Sequence, residues 1–125
     1  MMALIVDDSA ISRMVIASYL PSSVEIIEAT DGDKAMQSLS VSRPDLLLLD
    51  LWMPRSDGWQ VLGRLNGSMD RPFVVLITGD TQPAVRQRAA EEGVDRVVNK
   101  GELTEHLMAQ FVAAASTRNG GSEHV

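Results

Sequence analysis

A chain of 125 residues, 45% of them hydrophobic, has the length of one domain with a core of useful size. It has no cysteine, which excludes disulfides, thiolate metal sites and cysteine nucleophiles, and its net charge of −6 without a basic run argues against binding nucleic acid through phosphates. No run of about 18 apolar residues offers a membrane span, and MMALIVDDSA has no basic segment of the signal-peptide kind, so neither anchor nor signal is expected and the cytoplasm is the expected compartment.

Apolar runs and helical patterns alternate along the chain. MALIV (2–6) reads as a strand. SAISRMVIASYL follows, with Ile11, Met14, Val15 and Tyr19 at helical spacing and Pro21 closing it. VEIIEA (24–29) is a second strand, and Asp31 then suits the N-cap of a helix carrying Ala35, Met36 and Leu39. PDLLLLD (44–50) is a third strand, whose unbroken apolar run fits burial on both faces, as in a parallel sheet. Asp57 and Gly58 open a third helix with Val61, Leu62 and Leu65 inward. PFVVLIT (72–78) is the fourth strand. Pro83 fits the first turn of a fourth helix and Gly93 its C-terminal end. With Val85 as its main apolar residue, this helix should be the most weakly held. DRVVN (95–99) is a short fifth strand, and Leu103, Leu107, Met108, Phe111, Val112 and Ala115 give the last helix an apolar stripe. STRNGGSEHV is polar and glycine-rich, so a folded domain over 1–116 and a flexible tail over 117–125 are expected. Alternating strands and helices with short connections predict an α/β parallel sheet covered on both faces.

In such a sheet, sites form at the carboxyl ends of the strands. The first strand ends at Asp7-Asp8, the third at Asp50, the fourth at Thr78-Gly79-Asp80 and the fifth at Asn99-Lys100, while the second ends at Glu28-Ala29-Thr30 with no evident partner. If the strands are ordered as in a flavodoxin-like sheet, three carboxylates, a hydroxyl and an ammonium meet at one edge. Carboxylates crowded in a partly dry pocket repel one another and need a cation. A few hard oxygens suit Mg²⁺, which keeps several waters and binds phosphate oxygens. Lys100 adds a point charge suited to a phosphoryl group. Beside such charges, a rigidly held Asp50 can act as a nucleophile toward phosphorus, with catalysis by positioning and electrostatics. Thr78 can then hydrogen-bond a phosphoryl oxygen, and Gly79 leaves room for it. Singly, Asp7 and Asp8 would read as acids at a helix N-terminus, Lys100 as a surface lysine and Thr78 as a cap; their gathering carries the reading.

The set Asp7-Asp8, Asp50 followed by MP and DG, Thr78 and Lys100, in that order, resembles the receiver domain of bacterial two-component response regulators, CheY-like and of the stand-alone single-domain type, over about residues 2–116. The resemblance implies a flavodoxin-like (βα)5 doubly wound sheet of strand order 2-1-3-4-5. It implies that Asp50 takes a phosphoryl group from a histidine kinase or a histidine phosphotransfer protein. It implies that Asp8 and Asp50 bind Mg²⁺ directly with the backbone carbonyl of Trp52, and Asp7 through a water. Thr78 and Lys100 would read the phosphoryl group, with Gly79 and Asp80 beside it. The chain would be a signalling module of a phosphorelay and no enzyme in the ordinary sense, catalysing only its own phosphorylation and slow autodephosphorylation. The added charge would shift the loop after the fourth strand and the face made by the fourth helix, fifth strand and fifth helix, which would bind a downstream protein. As the sequence stops after its last helix, output is expected through protein–protein contact or by draining phosphoryl groups in a relay.

The sequence departs from the family in places. Gly101 stands where a proline usually follows the lysine, so a trans peptide and a looser loop are expected. Val97 stands where the family has an aromatic, which puts the usual aromatic readout aside. Trp52 and Asp80 occupy the positions where side chains tune loss of the phosphoryl group, and the Trp52 ring is expected to shield it. Trp59 reads as cover for apolar surface, the seven methionines as core filler, and Arg13 as serving a partner or a surface pair. His106 and His124 lack metal-ligand spacing and read as solvated.

Other functions fit less well. An aspartyl phosphatase of the haloacid dehalogenase type needs a second acid where Trp52 stands. A nucleotide- or flavin-binding domain needs a glycine-rich loop after the first strand, where Asp7-Asp8-Ser9 would repel phosphate. A phosphorylation-independent receiver-like adaptor would keep the fold and drop the switch; Val97 and Gly101 suit it, the intact acids and Lys100 do not.

Overall fold

The computed structural model describes residues 1–53, 57–67 and 71–121. In chain order the elements are β1 (Met2–Val6), α1 (Ala10–Ser18), β2 (Glu25–Ala29), α2 (Gly32–Ser42), β3 (Leu46–Leu49), α3 (Gly58–Leu65), β4 (Phe73–Thr78), α4 (Pro83–Glu91), β5 (Arg96–Asn99), a 3₁₀ turn over Lys100–Glu102, and α5 (Glu105–Gly121). The strands form one parallel sheet in the order β2-β1-β3-β4-β5. This is the flavodoxin-like order implied by the resemblance.

The register builds two core layers. Val6 pairs with Leu49, and Leu49 with Leu76, so the central strands end level with one another. Leu4, Leu47, Leu49, Val74 and Leu76 point to one side, where they meet Ala35 of α2, Leu62 and Leu65 of α3, and Ala89 of α4. Ala3, Ile5, Leu46, Leu48, Val75 and Ile77 point to the other, against Ile16 and Met108, Phe111 and Ala115. Both layers are apolar and buried, so a one-residue slip of β3 would only exchange leucines and cannot by itself specify register. The fixed positions are instead the polar residues that follow the strands. Each fully buried leucine here contributes about 2 kcal/mol of hydrophobic transfer free energy.

Local signals start the helices where expected. Ser9 Oγ accepts from Ser12 N (3.2 Å) and Asp31 Oδ1 from Lys34 N (2.9 Å). Asp57 and Gln60 form a reciprocal capping box at the start of α3. Pro83 lies in the first turn of α4, and Gly93 follows that helix with φ +80°. α4 rests on little apolar surface: Ala89 is buried and Val85 packs partly. Two arginines supplement this, Arg88 stacking 4.3 Å from the Trp59 ring centroid and Arg71 Nη2 donating to the Glu92 carbonyl at 2.9 Å.

Three expectations change. The spacing that marks α1 as a helix does not mark the face it buries: Ile16 and Leu20 enter the core, Tyr19 packs partly, and Ile11 and Met14 are 74% and 70% exposed, with Val15 exposed beside them. A short helix with apolar residues on two sides can satisfy the same periodicity with either inward. For the same reason Met14 is no core filler, whereas Met108 is fully buried and Met36 and Met53 pack at the core's edge. The tail expected from residue 117 is helical in its first part, since α5 continues to Gly121. Pro54, Met69 and His124 lie outside the described residues.

Candidate functional site: an acid cluster at the strand ends

Backbone pairing carries one residue past the ends of β1 and β3. Asp7 N donates to the Ala29 carbonyl at 3.1 Å, and Asp50 N to the Val6 carbonyl at 2.9 Å, which places the two aspartates side by side on the sheet edge. The chain then turns into α3 against this edge. Gly58 N donates to the Leu51 carbonyl at 2.8 Å, and a Cβ on Gly58 would stand 2.8 Å from the Asp50 carbonyl oxygen. Glycine after Asp57 is therefore a requirement of close approach.

Asp7 is fully buried, Asp50 nearly so, and Asp8 exposed at the rim; carboxylate oxygens of the three lie within 4.8 Å of one another. Lys100 Nζ stands 2.9 Å from Asp7 Oδ2 and 3.4 Å from Asp50 Oδ2, and it donates to Ser12 Oγ at 3.4 Å. Asp7 Oδ1 accepts from Ser9 N at 2.9 Å. Asp7 Oδ2 is buried and has no hydrogen-bond partner besides its 2.9 Å ion pair with the Lys100 ammonium.

Burial pushes the Asp50 carboxyl above its ordinary range; Asp7 adds to the push, and Lys100 opposes it without cancelling it. Burial alone would lower Lys100, but the carboxylates of Asp7 and Asp50 outweigh it and hold the ammonium above its usual value.

Three carboxylates against one ammonium leave two negative charges, and one buried carboxylate oxygen lacks a hydrogen bond. Hard oxygen donors, few in number and partly open to water, fit a small divalent cation such as Mg²⁺.

The remaining residues named from sequence form a separate turn beside this cluster. Thr78 is fully buried at the end of β4, and its Oγ1 accepts from Asp80 N at 3.2 Å. Among the described contacts its hydroxyl does not reach Asp50 or Lys100. Asp80 Oδ1 accepts from Gln82 N at 3.3 Å, so Asp80 caps its own loop. Gly79 is exposed, with open space where a Cβ would be. Trp52 is 55% exposed, two residues after Asp50. No described peptide bond is cis, Lys100–Gly101 included. The loop expected to be loose is tied, since Asn99 Oδ1 accepts from Gly101 N at 2.9 Å within the 3₁₀ turn. Val97 packs partly, in the layer that holds Val85 and Val94.

Two features escaped the sequence. Ser12 touches Lys100, and nothing in its local sequence distinguishes it. Arg13, left between a partner and a surface pair, donates from Nε to Glu28 Oε1 at 2.8 Å and from Nη1 to the Asp7 carbonyl at 2.9 Å. A cation in the first turns of a helix opposes the macrodipole, and that was the available signal of a specific partner.

Comparisons with known proteins bear on the family and the fold. The profile of the family described as response regulator receiver domain matches residues 3–112. The chain is 33% identical over 107 residues to response regulator MprA of Mycobacterium tuberculosis, covering 86% of this chain and 46% of that protein. The response regulator domain of Thermotoga maritima CheB superposes with a TM-score of 0.80 at 21% identity, covering 93% of this chain and 96% of that one. Response regulator Rcp1, solved in its Mn²⁺-bound form, gives a TM-score of 0.75 at 27% identity, covering 92% and 91%. The chain spans less than half the length of the curated relatives it matches.

Proposed function

Because the chain belongs to the family of response regulator receiver domains, we propose that it is the phosphoacceptor module of a two-component phosphorelay, with Asp50 as acceptor. The observation that carries the reading is the convergence of the Asp7, Asp8 and Asp50 carboxylates on one point, with Lys100 Nζ 3.4 Å from Asp50.

A carboxylate oxygen of Asp50 attacks phosphorus, the N–P bond of a donor phosphohistidine breaks, and the imidazole leaves. Lys100 faces the oxygens of the transferred group and offsets their charge. Asp8 and Asp50, with the Trp52 carbonyl and Asp7 through a water, would hold Mg²⁺. When bound, the ion neutralises charge on the phosphoryl oxygens. Thr78 turns its hydroxyl from Asp80 N to the phosphoryl group on Asp50, and the Gly79 turn moves with it. Lacking an aromatic at Val97, the switch works through this backbone shift and the lightly held α4. The receiver domain is taken to span 1–116, with α5 running on to Gly121, and the residues beyond 116 take no part in the chemistry.

The donor is a histidine kinase or histidine phosphotransfer protein. Ile11, Met14 and Val15 give it an apolar rest on α1, beside a cavity of about 190 Å³ lined by Ile11, Val15, Ile77 and Lys100. The face of α4, β5 and α5 serves the downstream target. No described helix is long and apolar enough to cross a membrane; action in the cytoplasm is part of the proposal.

Intact mass after incubation with Mg²⁺ and a small acyl phosphate tests the reading. One phosphoryl group on the wild type and none on Asp50→Asn is the expected result. A folded wild type that binds Mg²⁺ and stays unlabelled would turn the reading to the adaptor.

A further inference from the structure

The two groups that sequence left without a role, Arg13 and Glu28, are partners of each other, and together they hold the backbone of the acid cluster. Arg13 bridges from Glu28 Oε1 (2.8 Å) to the Asp7 carbonyl (2.9 Å). Asp7 N donates to the carbonyl of Ala29, the residue after Glu28. Both backbone groups of Asp7 are therefore tied to the end of β2, one directly and one through the guanidinium. With Oδ1 held by Ser9 N, the remaining oxygen of Asp7 is Oδ2, the buried one that faces Lys100 without a hydrogen bond.

From this closed ring, and resting on the metal site proposed above, we propose that Arg13 is a positioning residue for the divalent cation and that Glu28 determines what Arg13 does. The Arg13 side chain is 16% exposed, and its guanidinium already reaches the backbone of Asp7, one of the three clustered carboxylates, with which an unrestrained guanidinium would make a bidentate pair. It would then compete with the metal. Glu28 engages Nε and leaves Nη1 directed at a carbonyl, so the cation strengthens the frame of the site without occupying it. Arg13 thereby fixes where Asp7, and Asp8 after it, present their oxygens, as outer partners of metal ligands do.

Calorimetric titration of the full chain with Mg²⁺ alone provides the test, with folding of each variant checked by circular dichroism. Arg13→Ala should weaken Mg²⁺ binding about tenfold or more, the usual cost of losing an outer partner. Arg13→Lys should fall between, because one ammonium cannot span carbonyl and carboxylate together. Glu28→Gln, at a half-exposed side chain where folding is safe, should weaken binding by freeing the competing guanidinium. Labelling by a small acyl phosphate should slow in all three at limiting Mg²⁺ and recover when Mg²⁺ is saturating. A merely structural role would lower the melting temperature and leave the affinity of the folded protein unchanged. Unchanged affinity in folded Arg13→Ala overturns the proposal; should that variant not fold, unchanged affinity in both Arg13→Lys and Glu28→Gln does so. A wild type that binds no Mg²⁺ sinks the metal reading with it, whereas tight wild-type binding with indifferent variants sinks this proposal alone.

Discussion

The α-carbon of Gly58 and the carbonyl oxygen of Asp50 are so close that a methyl group on the first would stand 2.8 Å from the second. Residues separated in sequence by a whole loop thus define one another's position. Gly58→Ala must push either the start of α3 or the Asp50 peptide, and neither is a flexible side-chain end. Overpacking of this kind costs about 1–3 kcal/mol. Urea unfolding should report a loss in that range, with slower labelling of Asp50 in the fraction that remains folded. Wild-type stability in the variant would mean that the contact relaxes freely.

Asp50 is held above its ordinary 3.8, foremost by burial. A carboxyl raised in the folded state binds its proton more tightly there than in the unfolded chain. Its ionised form therefore costs stability, and the cost grows as pH rises from 3.8 through the folded value. Metal-free Asp50→Asn should melt above wild type at pH 7, and the gap should close as pH falls toward 3.8. Mg²⁺ at a hundred times its dissociation constant adds about 2.7 kcal/mol to a protein that binds it. The order of the two proteins should then reverse in thermal melts with saturating metal.

Lys100 meets the same carboxylates that the cation would. Lys100→Met should tighten Mg²⁺ binding, as the ion no longer shares Asp7 and Asp50 with an ammonium, and should slow phosphorylation at saturating Mg²⁺. Looser Mg²⁺ binding in the variant would contradict the competition. The folded-state value of Lys100 lies above 10.5, so the stability it contributes is present at all lower pH and fades only as pH rises through that value. In metal-free protein at pH 7 to 9, the difference in melting temperature between wild type and variant should therefore be flat.

Trp52 is the aromatic side chain nearest in sequence to Asp50, and it is 55% exposed. Trp52→Asn should speed loss of the phosphoryl group about threefold or more, a barrier change of roughly 0.7 kcal/mol. Decay of the labelled species by mass, at fixed Mg²⁺, measures it. An unchanged rate would show that the ring stands clear of the attacking water.

Asp7, Asp50 and Lys100 could be read from sequence because a parallel sheet gathers its strand ends at one edge, so the residue after each apolar run is placed by topology alone. The buried face of α1 could not. Ile11, Met14 and Val15 satisfy helical spacing as well as Ile16 and Leu20 do, and only the sheet decides between them. The Arg13–Glu28 pair was hidden for a related reason, since its partners sit on different elements and meet only once β1 and β2 pair. The end of α5 was hidden by composition: Thr-Arg-Asn-Gly-Gly reads as coil, yet the helix continues to Gly121. Thr78 was found as a residue but not as a posture, because a hydroxyl engaged with Asp80 N leaves no trace in the sequence.

α4 is clasped by Arg88 on Trp59 and by Arg71 on the Glu92 carbonyl, with Ala89 as its buried side chain. A helix attached in this way can lift and leave little void behind it, since Ala89 and part of Val85 are what it withdraws from the interior. The remaining layers keep their packing whether it is seated or not. Solvent enters easily under such an element, so its amides should exchange with deuterium long before those of β1, β3 and β4. One surface of the molecule can thus be redrawn by releasing two arginine contacts, while the sheet that carries Asp50 stays closed.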